Sequence, residues 1–134
     1  MENSITTYKK IIEFYLKNDF LLDQELHYRK QIGKTRTPIT INKLLTPIPF
    51  NEADSIHTVI TSQLETMPPQ QKEYVHLRYH KNCTYDVICG FLCLKRSTLF
   101  RMGEDILNDL LFAVMLDERS RESIISADIS CYIL

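Results

Sequence analysis

The spacing of apolar residues predicts helix in the N-terminal part of the chain. Between residues 7 and 30, apolar side chains recur at steps of three and four, which places them on one helix face. Asn18 and Asp19 interrupt this stripe and are good capping residues, so one bent helix and two separate helices both remain open. Gly33 ends the segment. The stripe consists of Tyr8, Ile11, Ile12, Tyr15, Leu16, Leu22 and Leu26.

Residues 34–50 break the helical pattern and form a connector. Three prolines, at positions 38, 47 and 49, exclude a continuous helix, and any strand in the protein is expected here. The apolar members of the connector favour packing against the body over a free linker. They are Ile39, Ile41, Leu44, Leu45, Ile48 and Phe50.

The next two predicted helices lie on either side of a pair of prolines. A helix over residues 51–67 carries Glu52 and Asp54 near its start, where negative charge suits the positive end of the helix dipole. A second helix covers residues 70–79. Pro69 fits the start of that helix, because its missing N–H lies where a helix has no internal acceptor.

A short helix, a tight joint and a long helix follow. Thr84 caps the short helix, which ends at Leu92, and the long helix starts near Lys95 and extends toward Asp117. Residues 119–134 leave a helix, a strand and a mobile tail open as alternatives. The apolar face of the long helix consists of Leu99, Met102, Ile106, Leu110 and either Ala113 or Val114.

Together these elements predict an all-α protein. Only three glycines in 134 residues leave little material for the tight turns of a β fold. The predicted segments are an N-terminal helical segment (1–33), the connector (34–50), a helical domain (51–118) with its central unit at 69–111, and a C-terminal tail (119–134).

Charge is nearly balanced overall but uneven along the chain. The formal net charge of −1, from 16 basic and 17 acidic residues, excludes a polycation that coats nucleic acid or anionic lipid. Residues 70–103, however, carry six basic and two acidic side chains, whereas residues 104–134 carry two and seven. Positive charge confined to one unit is typical of a sequence-specific DNA-binding protein.

Several other classes of protein are not indicated. No apolar run approaches the roughly 20 residues that cross a bilayer, and the start MENSITTYKK lacks the apolar core of a signal peptide. We therefore expect a cytoplasmic protein, associated with the nucleoid when bound to DNA and without a membrane partner. Because Gly-rich loops and clustered carboxylates are lacking, we expect no catalytic residues and no cofactor. His76, His80 and Cys83 have the spacing of metal ligands, but no second tight pair accompanies them and we expect no metal.

The short helix, the joint and the long helix have the order of a helix-turn-helix, which places its second helix in the DNA major groove. Arg96 and Arg101 suit bidentate hydrogen bonds to guanine, each worth about 1–3 kcal/mol, and Phe100 suits contact with a thymine methyl group. The predicted DNA contacts are Lys95, Arg96, Ser97, Thr98, Phe100 and Arg101. The predicted phosphate contacts are Lys72, Lys81 and Thr84. For Arg78, added charge at the DNA and an acidic core partner both remain open.

Residues 67–110 resemble region 4 of bacterial sigma factors. In that region a helix with a Leu-Arg-Tyr element, here residues 77–79, precedes a helix-turn-helix whose recognition helix starts with Arg-Ser-Thr, here residues 96–98. In its length, N-terminal helices and connector, the whole chain is similar to the ArpU/RinA-type transcriptional regulators of phages and prophages. The resemblance implies control, with activation as the expected sign, of phage or prophage genes. The chain departs from the family pattern at Cys93, where glycine is usual, and at Lys95, where Ser or Thr is usual.

Two other interpretations of this unit remain open. The basic residues also fit the solvated face of an ordinary helical core. Alternatively, the same fold binds protein, as an adaptor to RNA polymerase or an antirepressor. A homodimer through the N-terminal helices or through residues 107–116 is also open, and it would require DNA half-sites about one helical turn apart.

Overall fold

The computed structural model describes residues 4–41 and 47–132. Leu44 and Leu45 of the connector and Ile133 and Leu134 of the tail lie outside the described residues. Within the described ranges the chain is all-α, as predicted. The helices are α1 (Ile5–Lys17), α2 (Asp19–Gln31), α3 (Phe50–Thr66), α4 (Pro69–Val75), α5 (Tyr85–Leu92), α6 (Arg96–Leu116) and α7 (Glu118–Ile125).

Asn18 divides the N-terminal segment into two helices. Its side-chain amide donates to the carbonyl oxygen of Phe14 at 2.9 Å, and its backbone N–H donates to the same oxygen at 3.0 Å. Both bonds occupy a carbonyl at the end of α1, so the chain turns before α2 starts at Asp19. Of the two alternatives that the sequence left open, the structure has two helices.

The predicted apolar stripe of α1 and α2 lies in the protein's own core. Ile11, Ile12, Tyr15, Leu16 and Leu22 are fully buried. Helix α1 packs against α3, α6 and the segment after α4. The stripe is therefore covered within one chain, without a second copy.

The connector is held against the body, as its apolar residues predict. Ile39 and Ile48 are fully buried and form an antiparallel bridge, in which the N–H of Ile39 donates to Ile48 O at 2.6 Å and the N–H of Ile48 donates to Ile39 O at 2.7 Å. This bridge lies where the sequence places any strand-like structure. On the α2 side, Arg29 Nη1 donates to the carbonyl oxygen of Thr37 at 2.9 Å.

Helix α4 departs from the prediction at its end. The sequence predicts one α-helix over 70–79, but the regular helix ends at Val75 and residues His76–His80 form a π-helical turn. The turn closes with a hydrogen bond from the N–H of Lys81 to His76 O at 2.9 Å. Two side chains of this turn, Leu77 and Tyr79, are buried.

The C-terminal segment is helical where the sequence left three alternatives open. Helix α7 packs against α3 and α6, and Ser120 Oγ, fully buried, donates to Val114 O at 2.7 Å. The segment then ends in a short 3₁₀ turn, Ile129–Cys131, and at the buried Tyr132. Its buried side chains belong to the same hydrophobic core as those of α1 and α3.

Glu52, near the start of α3, has an internal partner that the sequence did not indicate. Tyr132 donates a hydrogen bond from its hydroxyl to Glu52 Oε2, and the hydroxyls of Tyr15 and Tyr132 lie 2.8 Å apart. Burial raises the pKa of Glu52, and the hydrogen bond from Tyr132 opposes that shift only in part.

None of the described helices combines the length and apolar character that a membrane span requires.

Candidate functional site

Helices α4, α5 and α6 pack together into one unit, hereafter the α4–α6 unit. Thr84 caps α5 as predicted: its side-chain oxygen accepts a hydrogen bond from the N–H of Val87 at 3.4 Å. Ile88 on α5 and Leu99 on α6 are fully buried, and Leu99 belongs to the apolar face predicted for the long helix. The first turns of α6 are therefore packed against the core.

The turn between α5 and α6 contains Cys93 and Lys95. Cys93 has φ 56° and ψ 43°, a left-handed conformation that glycine adopts freely and that costs a side-chain-bearing residue about 1 kcal/mol. Lys95 occupies the N-cap of α6, and a lysine side chain has no acceptor for the first backbone amides. The turn therefore carries the cost of a left-handed residue with a side chain and of a helix start without a side-chain cap.

A glycine sets the distance between α4 and α6. A Cβ built at Gly103 would lie 2.4 Å from the hydroxyl oxygen of Tyr74 and 3.1 Å from its Cζ atom. Tyr74 on α4 is almost completely buried, and this burial raises its pKa. The sequence pattern did not indicate this contact. The available signal was an isolated glycine inside a long helical pattern, which usually has a packing reason.

The six side chains predicted to contact DNA are all exposed and lie at the start of α6. They share this end of the helix with a shallow groove that is lined by Tyr85, Arg96, Ser97 and Phe100. The six residues are Lys95, Arg96, Ser97, Thr98, Phe100 and Arg101. The three predicted phosphate contacts, Lys72 on α4, Lys81 after the π-helical turn and Thr84 before α5, are exposed as well.

Arg96 has two partners on α5. Its Nη1 atom lies 3.0 Å from Asp86 Oδ1, and its guanidinium carbon lies 5.8 Å from the centroid of the Tyr85 ring. Both side chains of the ion pair are largely exposed, so the pair adds little to stability. The ion pair with Asp86 places the Arg96 guanidinium beside the groove.

Arg78 lies between two aromatic rings. Its guanidinium carbon is 4.8 Å from the ring centroid of Tyr85 and 5.9 Å from that of Tyr79. The side chain is half-buried. Arg78 therefore supports Tyr85 from the inner side, while Arg96 approaches the same ring from the surface.

Val87 and Phe91 are exposed apolar residues of the α4–α6 unit that were not predicted from the sequence. Val87 and Phe91 on α5 are 47% and 68% exposed, and Phe100 on α6 is 58% exposed. The sequence alone separates such residues from core positions only when the helix phase is known. The exposed surface of the unit is therefore both basic and apolar.

The histidines of the π-helical turn pack against each other. The rings of His76 and His80 lie edge to face with centroids 5.6 Å apart, and His80 Nε2 is 3.1 Å from the carbonyl oxygen of Leu16. This contact joins the π-helical turn to α1. In residues 4–41 and 47–132, no three His, Cys, Asp or Glu side chains form a group that could hold a metal ion.

Comparisons with known proteins found no matching protein-family model, curated protein or solved structure.

Proposed function

We propose that the protein is a sequence-specific DNA-binding regulator of transcription and that the α4–α6 unit is a helix-turn-helix with α6 as its recognition helix. The observation that carries the proposal is the start of α6, where cationic and hydroxyl side chains are exposed on one short stretch while Leu99 is fully buried beneath them. A recognition helix needs this combination, because base reading requires solvent-accessible donors on a helix that is positioned by its packing.

Each exposed side chain has a role in the proposed complex. Arg96 and Arg101 read guanine O6 and N7, and Arg96 exchanges its contact with Asp86 for the base. Phe100 contacts a thymine methyl group. The uncapped backbone amides at the start of α6 and the ammonium group of Lys95 hold a phosphate, which sets the register of the helix on the duplex.

The remaining contacts of the proposed complex surround this centre. Ser97 and Thr98 donate to bases or phosphates, and Lys72, Lys81 and Thr84 bind the phosphate backbone on either side. The acidic residues concentrate after residue 103, so only the first part of α6 attracts DNA.

The resemblance to the ArpU/RinA-type regulators supports a role for the protein as an activator of phage or prophage genes. In that role it acts in the cytoplasm, at the nucleoid, and binding near a promoter allows it to recruit RNA polymerase. A dimeric form would bind two half-sites about one helical turn apart.

The test is a pull-down of fragments of the source genome by the purified protein at near-physiological salt, followed by sequencing of the retained fragments. We expect one promoter-proximal site to be enriched. Arg101→Ala should weaken binding to that site about 5–150-fold, which corresponds to the roughly 1–3 kcal/mol of one guanine contact. The matched control is Arg36→Ala, which removes an equally charged, exposed arginine from the connector.

Uniform retention of all fragments, or no retention, would contradict the proposal. Equal losses for Arg101→Ala and Arg36→Ala would contradict the assignment of base reading to α6. In the first case, the protein-binding interpretation of the same fold would replace the DNA-binding one.

A further inference from the structure

Helices α3 and α6 border an open groove of about 760 Å³ at the far end of α6. Phe112 and Leu116 line it and are 66% and 67% exposed, although both are large apolar residues. Because they are four residues apart, they lie on the same face of α6. Val59 of α3 lines the opposite wall. Two exposed apolar side chains that line a groove together are a candidate interaction surface.

The charged residues of the groove are acidic. Asp109 and Asp117 line it, and no basic side chain does so in the part of the chain that the structure describes. Asp117 accepts a hydrogen bond from the backbone N–H of Ser120 at 2.9 Å, which holds the pKa of its carboxyl below the usual range. The groove therefore carries negative charge at neutral pH.

The two basic residues nearest in sequence are held by partners elsewhere. Arg119 Nη2 donates to Asp54 Oδ2 at 3.0 Å, and Arg121 Nη1 donates to Met115 O at 3.2 Å. Both arginines still lie close enough to Asp117 to help lower the pKa of its carboxyl. The groove therefore has a mixed apolar and polar lining, and the charged residues within that lining are acidic.

The groove also lies apart from the proposed DNA-reading end of α6. Phe112 follows Arg96 by sixteen residues, which corresponds to about 24 Å along a helix at 1.5 Å per residue. A partner in the groove leaves the start of α6 free. Binding there is independent of the proposed function.

We propose that this groove binds a basic amphipathic helix of a second protein. Apolar side chains at helical spacing on that helix would pack on Phe112 and Leu116, and its Lys or Arg residues would lie beside Asp109 and Asp117. A second copy of this chain fits less well, because a two-fold dimer through the groove would bring the same acidic edge against itself.

The experiment titrates the ¹⁵N-labelled full chain with a synthetic 18-residue helical peptide that has leucines on one face and lysines beside them. A second peptide keeps the leucine face and replaces each lysine by glutamate. At about 150 mM salt, where charge beyond roughly 8 Å is screened, we expect the lysine peptide to shift the amide signals of residues 58–63 and 109–117. The glutamate peptide should bind at least tenfold more weakly.

Substitutions then test which residues of the protein contribute to binding of the lysine peptide. Phe112→Ser should weaken binding of the lysine peptide at least tenfold, and Asp109→Asn should weaken it several-fold without removing any apolar surface. The matched control Phe91→Ser removes an equally exposed phenylalanine from α5 and should leave the affinity unchanged. Circular dichroism checks that each variant is folded.

Four results would overturn the proposal. The first is equal binding of the two peptides. The second is signal shifts outside the groove. The third is an affinity that neither Phe112→Ser nor Asp109→Asn changes. The fourth is self-association of the wild type that Phe112→Ser abolishes, which would make a second copy the occupant. None of these results depends on whether the protein binds DNA.

Discussion

Two glycines of the α4–α6 unit should respond in opposite directions to the same substitution. Gly90 on α5 and Gly103 on α6 both lie inside helices, where alanine is favoured over glycine by about 0.8–1 kcal/mol. No atom of the described residues lies within 4 Å of a Cβ at position 90, whereas a Cβ at position 103 would lie 2.4 Å from the Tyr74 hydroxyl oxygen. An added methyl group therefore has space at position 90 and overlaps with Tyr74 at position 103.

The magnitudes follow from these distances. Gly90→Ala should stabilise the protein by about 0.5–1 kcal/mol, the gain in helix propensity. At position 103 the same gain is outweighed by overpacking, which typically costs about 1–3 kcal/mol, because the ring of Tyr74 is buried and has little room to move. We expect Gly103→Ala to destabilise the protein by about 1–2 kcal/mol.

Urea unfolding followed by circular dichroism measures both free energies. For a chain of this length, 1 kcal/mol also shifts the melting temperature by about 3–5 °C, so a thermal scan provides a second readout. Tyr74→Phe removes the hydroxyl at 2.4 Å and leaves the ring carbon at 3.1 Å. In that background the cost of Gly103→Ala should fall by about 1 kcal/mol, which a double-mutant cycle detects. Equal stabilisation by both alanine variants would refute the assigned contact.

Two further predictions concern the turn and the core. Cys93→Gly should stabilise the protein by about 1 kcal/mol in urea unfolding because it relieves the left-handed strain, and more than Asn82→Gly, since asparagine tolerates a positive φ better; equal effects would contradict this account. Burial raises the pKa of Glu52 in the fold, so its ionisation destabilises the folded state as the pH rises above the usual glutamate range. The stability of Glu52→Gln relative to the wild type should therefore increase as the pH rises from 4 to 7, as measured by urea midpoints. A stability difference that does not change with pH would contradict this prediction.

The sequence by itself determined most of the helices and several of their ends. It left open the division at Asn18 and the form of residues 119–134, and it did not indicate the π-helical turn after Val75. Apolar periodicity, the Thr84 cap and the prolines before α4 act within a few residues, so they can be recognised without knowing how the chain folds. For the same reason the start of α6 was predicted with all six of its exposed side chains.

Only the tertiary structure decided which residues meet across the fold. The contact of Gly103 with Tyr74, the bond from Tyr132 to Glu52 and the groove beside Phe112 each join residues from different helices. Their distances depend on how the helices cross, and helix crossing is set by the packing of many side chains at once. A periodic pattern shows which face of a helix is apolar, but only packing shows whether another helix covers that face, as for α1, or leaves it open, as at the end of α6.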